Sequence, residues 1–291
     1  MNKLIQELGR LYFLPEQRGY SRQQIDSGNP VVNTASLITP AAISQNLDGT
    51  ATVALKLVNP EGLVRALVIT FDRAKDWNHL TTLYQGLEED LKLPAPAVSI
   101  SATGGFQLWL SLADNVTIAE ATAFLEILRS KYLADIPVRH LKLSPSINEY
   151  SAGELPTVDL VPSFHQASGK WSAFIDPSMG GMFLDEPGLD MAPNMAGQAD
   201  ILAKFESIKS QDFQRVLASF QSPMPVELKL IETATNDQCG PTSHSRLDVG
   251  SNYTEPKSFL LAVMNSPSAS PDQRIKAAQA LLPYFERDVA K

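Results

Sequence analysis

The sequence holds one cysteine, Cys239, so no disulfide can form within the chain. Its four histidines, His79, His140, His165 and His244, are scattered, and no His/Cys spacing suggests a zinc site. Apolar runs of about 18 residues or more are missing, which excludes a hydrophobic transmembrane helix. The first residues, "MNKLIQELGRLYFLPEQ", lack a clean apolar core and a small-residue cleavage site. A cytoplasmic location is therefore expected. Positive charge is also in short supply: the net charge is -8 over 291 residues, which argues against a broad basic surface while leaving room for a local basic groove. There is no internal repeat and no low-complexity tract.

What is present is a chain of ordinary globular composition with alternating and helical patterns. Residues 2 to 14 read as an amphipathic helix, and 15 to 35 as a polar, turn-rich segment. Residues 50 to 58 and 63 to 72 read as two strands of a hairpin joined by Asn59-Pro60-Glu61-Gly62. A helix follows, with Asp76 as its N-cap and Trp77, Leu80, Leu83, Tyr84, Leu87 and Leu91 at helical spacing. Two strands then flank the turn Gly104-Gly105. The next helix opens on a capping box, Thr117 with Glu120, and residues 138 to 144 read as a final strand. The order from 65 to 144 is β-α-β-β-α-β, a ferredoxin-like unit, extended upstream by at least one strand. Residues 170 to 176 read as a further strand and 198 to 220 as one helix. The organisation expected is an N-terminal helix and loop (1–36), an α+β domain (37–231, with its core at 63–146), a linker (232–256) and a helical tail (257–291).

Strand alternation sorts the side chains into two faces. Leu67, Ile69, Phe71, Phe106, Leu108, Leu110, Leu141 and Leu143 form the apolar face, which must meet the helices. The other face carries Val68, Thr70 and Asp72, then Gln107, Trp109 and Ser111, then His140, Lys142 and Ser144. Such a polar face serves as a ligand platform in some folds, with an aromatic to stack a base. It can equally be covered by another layer, from residues 1 to 50 or 160 to 220. Both readings stand at this point.

The segments "ITFDRAKDW", "SATGGFQLWLSL" and "LADIPVRHLKLSPSINEY", in this order, resemble the catalytic core of archaeo-eukaryotic primases, and most of all the primase-polymerase proteins of mobile elements and conflict systems. The likeness covers about residues 37 to 150. It implies a primase-polymerase-like α+β fold and three motifs: an acid pair that binds divalent metal, a strand histidine that contacts nucleotide phosphates, and a further acid. Two-metal chemistry needs ions about 4 Å apart and several carboxylate oxygens to hold them. Here the acid pair falls on Thr70-Phe71-Asp72 and keeps one acid; aligned one pair later, Asp72 is followed by Ala74. The histidine position falls on Gln107, and Asp135 is the third acid. The resemblance thus assigns Asp72 and Asp135 as catalytic and metal-binding residues, and Thr70, Gln107, Trp109, His140 and Lys142 as nucleotide-binding ones, with Mg²⁺ or Mn²⁺ as cofactor if the protein is active and none otherwise.

Loss of one acid and of the histidine each removes orders of magnitude in rate. The implied function is a degenerate primase-polymerase-like protein that lacks polymerase activity and binds nucleotide or nucleic acid as an accessory in mobile-element or phage DNA replication. Its partners would be nucleotide or DNA and phage or replication proteins, with no membrane. Two alternatives stay open. One is an active, divergent nucleotidyl transferase that uses Asp72, Asp135 and another acid from 151 to 200. The other is a non-catalytic interaction protein whose sheet face is covered. The tail segment "FLLAVMNSPSASPDQRIKAAQALLPYF" resembles a short helical stretch of phage DNA-packaging small subunits, and reads equally as a generic helical hairpin.

Overall fold

A computed structural model describes residues 1–23, 31–32, 36–151, 156–221 and 260. The chain divides into two units, Met1–Val226 and Glu227–Lys291, and the elements named below all lie in the first. The expected linker at 232–256 lies outside the described residues, as does the expected helical tail except for Leu260, which is helical.

In chain order the elements are α1 (Asn2–Tyr12), β1 (Arg18–Gln23), β2 (Val31–Val32), β3 (Ser36–Leu37), α2 (Pro40–Leu47), β4 (Ala51–Lys56) and β5 (Leu63–Phe71). Next come α3 (Trp77–Gln85), β6 (Ala97–Ile100), β7 (Phe106–Thr117), α4 (Ile118–Tyr132), β8 (Leu141–Ser144) and α5 (Ile147–Ser151). The rest are β9 (Thr157–Asp159), β10 (Phe164–His165), β11 (Lys170–Trp171), β12 (Ala173–Ile175), α6 (Met195–Leu202) and α7 (Ser210–Gln221). The protein is α+β: a central sheet in the order β12-β6-β7-β5-β8, a second sheet β2-β1-β4-β9 with β3 also on β1, and a two-stranded β10-β11 ribbon.

Every neighbouring pair in the central sheet is antiparallel. Without β12 its order is that of a βαββαβ unit, in which each helix carries the chain across to a parallel strand. The two-face split read from alternation holds within the strands, though not for Asp72 and His140 just beyond their ends. Leu67, Ile69, Phe71, Phe106, Leu108, Leu110 and Leu141 are buried in one core with Leu80 and Leu83 of α3 and Phe124, Leu125 and Leu128 of α4. On the opposite face Ala66, Val68, Ala97, Trp109 and Phe174 join a second core with Leu4, Leu8, Leu11 and Tyr12 of α1, Leu202 of α6, and Val53 and Leu55 of β4. The covering layer is therefore realised over part of this face. A helical layer and the second sheet cover it as far as Trp109. Beyond that it stays polar.

Several boundaries differ from expectation, each for a tertiary reason. Strands 50–58 and 63–72 do not form a hairpin: β4 pairs with β1 and β9, β5 pairs with β7 and β8, and a single bridge, Val58–Val64, connects them. The turn itself is as read. The Asn59 side chain accepts from the N–H groups of Glu61 and Leu63 (3.1 and 2.8 Å), and it steers the chain from one sheet into the other. The central sheet is thus extended by β12 from downstream rather than by an upstream strand. The segment 170–176 splits at buried Ser172, whose N–H donates to Ser163 O (2.9 Å), so that Lys170–Trp171 and Ala173–Ile175 enter different sheets. The expected helix 198–220 is two helices. Between them Ile208 pairs in parallel with Leu112: its N–H donates to Ser111 O (2.8 Å) and its carbonyl accepts from Ala113 N–H (2.9 Å). The polar segment 15–35 supplies β1 and β2, which pair with each other, and β1 also pairs with β4. Residues 138–140 form a 3₁₀ turn ahead of β8.

The capping box at the start of α4 is present. Thr117 Oγ1 accepts from Glu120 N–H (3.3 Å), and a Glu120 oxygen accepts from Thr117 N–H (3.0 Å). The bond from the Thr117 backbone, then that from its hydroxyl and that from Gln214, hold the Glu120 carboxyl below its ordinary range. A depressed carboxyl pKa stabilises the fold above the unfolded pKa, and the benefit fades as pH falls through the folded value. Thr117→Ala is expected to cost about 1 kcal/mol. The stability gap between Glu120→Ala and wild type is expected to narrow as acid is added, which denaturant melts at neutral and acidic pH will check.

Candidate phosphate-binding cleft between the two sheets

The strand register assembles the site. Ser99 of β6 faces Gln107 of β7, Gln107 faces Thr70 of β5, and Thr70 faces Lys142 of β8, so four strands place four polar side chains in one row. The next row on the same face is Ala97, Trp109, Val68 and Ser144. A hydrogen-bond relay orients the centre of the first row. The indole of Trp109 can only donate, and it donates to Ser99 Oγ (3.1 Å). Ser99 then gives its own proton to Gln107 Oε1 (3.3 Å), which leaves the Gln107 amide NH₂ pointing to Thr70 Oγ1 (3.5 Å). The glutamine thus presents a donor where the resemblance places a histidine.

Thr70, Gln107, Lys142 and Ser144 line a cleft of about 220 Å³. Ser101, Ala102 and Thr103, from the turn before β7, close one side; Thr52, Thr157, Asp159, Ser163 and His165, from the second sheet and the β10 ribbon, form the other. Ser144 is 1% exposed, and its Oγ has no hydrogen-bond partner among the described residues. A buried hydroxyl left unpaired in a polar cleft is the kind of group a ligand satisfies. Lys142 brings a cation whose Nζ is 3.6 Å from Glu149 and whose side chain is half exposed.

The other sequence-derived site residues are dispersed. Asp72 is the first residue past β5. Its N–H donates to His140 O (3.1 Å), and it lines a neighbouring cleft of about 430 Å³ with Arg129, Arg139 and Lys142 rather than the cleft that holds Thr70. Strand alternation stops at Phe71, because the chain turns there into the 3₁₀ segment Ala74–Asp76. The face-sharing of Thr70 and Asp72 expected from spacing therefore fails. Asp76 does not cap α3 with its side chain. It is buried in a bidentate pair with Arg73 (both contacts 2.8 Å), which fixes that turn. His140 sits in the 3₁₀ turn, its Nε2 accepting from Arg139 Nε (3.1 Å). Desolvation, then the positive charges of Arg73 and Arg139, lower its proton affinity. Asp135 is exposed in the turn after α4 and lines neither cleft. Trp109 is 1% exposed and packs against Tyr12 and Phe174 (ring centroids at 5.2 and 6.0 Å), so it has no free face for a base. It belongs to the core, and reaches the site only through Ser99.

Two titratable cleft residues escaped the sequence reading. Asp159 is an acid from the 151–200 segment, where the active-transferase alternative sought one without naming it; its alternation with Val158 and Leu160 was the available signal. His165 lies in a two-residue strand, too short to show periodicity. A pair of hard divalent cations requires several carboxylates. Asp159 is the one carboxylate of this cleft, and among the described residues no group of three His, Cys, Asp or Glu side chains could hold a metal ion. The side chains present do not fit a two-metal centre.

No family model and no curated protein matches the chain. Solved structures do. The chain is similar to the two that follow. One is the archaeo-eukaryotic primase domain of the primase-polymerase of cyanophage S-2L, at 13% identity and a TM-score of 0.38, over 69% of this chain and 97% of that one. The other is the polymerase domain of Mycobacterium tuberculosis ligase D, solved in complex with DNA, at 15% identity and a TM-score of 0.44, over 76% of this chain and 90% of that one. Likenesses this distant assign no role to any residue here. No helix among the described residues is long and apolar enough to cross a membrane.

Proposed function

We propose that the protein is a degenerate primase-polymerase-like protein that binds nucleotide, or the phosphate-bearing end of a nucleic acid, in the cleft between its two sheets. It does not extend primers. It acts as an accessory in the replication of phage or mobile-element DNA. The observation that carries this reading is the row Ser99–Gln107–Thr70–Lys142, with the unpaired Ser144 hydroxyl in the next row of the same face: donors and one cation stand where acids and a histidine would serve a polymerase. Asp72 and Asp135, the metal ligands implied by the resemblance, do not contribute to the cleft, so no step runs through Mg²⁺ or Mn²⁺.

The test is a titration of fluorescent ATP and dATP, and of labelled primed DNA, with extension measured in Mg²⁺ or Mn²⁺. Nucleotide binding is expected. Because a hydrogen bond to a charged group contributes about 1.5–3 kcal/mol, Lys142→Ala is expected to weaken binding about tenfold to hundredfold. No extension is expected. Lack of any binding by wild type would overturn the proposal. So would template-dependent extension that Asp72→Ala or Asp159→Ala abolishes. The latter would instead establish the active-transferase reading, which the presence of Asp159 in the cleft favours.

A further inference from the structure

The hairpin strand offers Gln107 where an imidazole would serve, yet an imidazole does line the same cleft from the opposite wall. His165 ends β10, whose partner β11 brings Lys170 opposite it. The turn between them closes on Gly169, at φ +66°, with Gly169 N–H donating to His165 O (2.9 Å). Within this turn Ser168 N–H donates to His165 Nδ1 (3.3 Å). Since a backbone N–H can only donate, Nδ1 carries a lone pair and the ring proton resides on Nε2. The hydroxyl of Ser168, 3.1 Å from Nδ1, adds a second contact on the same edge of the ring. The remaining ring nitrogen, Nε2, is a donor.

We propose that His165, with Lys142 and Ser144, forms a metal-independent cradle for polyphosphate oxygens, and that its Nε2–H adds an imidazole donor, from the β10–β11 ribbon, to the amide donor that Gln107 holds on the strand. The inference rests on the reading above that the cleft takes a phosphate-bearing ligand. It deepens that reading by naming the donor and the ionic conditions. Three residues that line one cleft carry donors of different type: a cation, an imidazole N–H and a buried hydroxyl with no partner among the described residues. Asp159 lines the same wall and opposes an anion. It also gives the idea its sharpest consequence, because a carboxylate that repels phosphate and one that holds a metal respond oppositely to neutralisation.

The experiment is calorimetric titration of the full chain with tripolyphosphate, in EDTA and in Mg²⁺. Wild type is expected to bind in EDTA. His165→Phe is expected to weaken binding about tenfold to hundredfold, the range for a hydrogen bond to a charged group. His165→Gln, which keeps an N–H donor, is expected to restore most of that loss. Asp159→Asn is expected to tighten binding. Nitrogen-15 spectra of wild type should show the Nε2–H form of His165, with its resonance moving as tripolyphosphate is added. Binding that requires Mg²⁺ and disappears in Asp159→Asn overturns the proposal. So does unchanged affinity in both His165 variants, in which case a loss in Lys142→Ala would still uphold the cleft as a nucleotide site. Wild type that binds neither tripolyphosphate nor ATP overturns both readings.

Discussion

Replacing Trp109 by alanine is expected to cost about 3–5 kcal/mol of stability, as removal of a fully buried large aromatic does. The ring contacts Tyr12 of α1 and Phe174 of β12, so it joins the central sheet to the layer that covers it. At about 2–4 °C per kcal/mol for a domain of this size, the melting temperature should fall by roughly 6–20 °C. The effect also reaches the cleft: without the indole N–H, Ser99 is free to turn its hydroxyl elsewhere, and Gln107 loses the contact that orients its amide. Trp109→Phe separates the two effects. It retains most of the apolar contact and removes the donor, so it should melt closer to wild type and still weaken ligand binding. The opposite pattern, unchanged melting of Trp109→Ala with selective loss of nucleotide affinity, would restore Trp109 as a stacking platform and refute its place in the core.

Trp109 also marks where sequence ceased to be informative. Alternation along 106–112 puts Gln107 and Trp109 on one face, and they are on one face. What periodicity does not carry is the neighbour. A polar face looks the same whether α1 lies on it or solvent does, and here the boundary falls between two residues two positions apart. The same limitation explains Asp72. Counting by twos past Phe71 continues the face on paper, but the pair Arg73–Asp76 bends the chain at once and sends the acid to another cleft. The βαββαβ core was legible because its helices and long strands bury apolar side chains at regular spacing, and because Thr117 and Glu120 mark a helix start through local hydrogen bonds. The second sheet was not legible. Its strands β2, β3 and β9, like those of the β10–β11 ribbon, are two or three residues long, too short to show a period, and β9 reaches β4 from far along the chain. Half of the cleft, including Asp159 and His165, comes from that part of the molecule, so the site as a whole could not be read from the primase-like motifs.

Gly105→Ala is the second large effect expected, and it concerns the turn that brings these motif positions together. Gly105 has φ +78°, and a methyl group there would stand 1.9 Å from the carbonyl oxygen of Phe71, 2.9 Å from the carbonyl carbon of Asp72 and 3.0 Å from the nitrogen of Arg73. All three are backbone atoms, so no side-chain rotation relieves the clash. The strand end of β5 or the start of β7 must move. Gly104, at φ +117°, differs: a methyl group there would meet nothing nearer than 3.9 Å, which leaves backbone conformation as the penalty. Gly105→Ala is therefore expected to lose roughly 2–4 kcal/mol, and Gly104→Ala about 1–3 kcal/mol. The displacement begins at the Phe71–Phe106 pair and passes to the adjacent Thr70–Gln107 pair, so the ligand affinity of the remaining folded Gly105→Ala protein should fall as well. Melting curves, amide exchange of β5 and β7, and nucleotide titration together check this. If Gly105→Ala matched wild type in melting and exchange, the close approach of the turn to the end of β5 would not be what the glycine is for. If it fails as expected, the double glycine has two separable duties: Gly104 reverses the chain, and Gly105 lets the end of β5 come close enough for Thr70 and Gln107 to share one cleft.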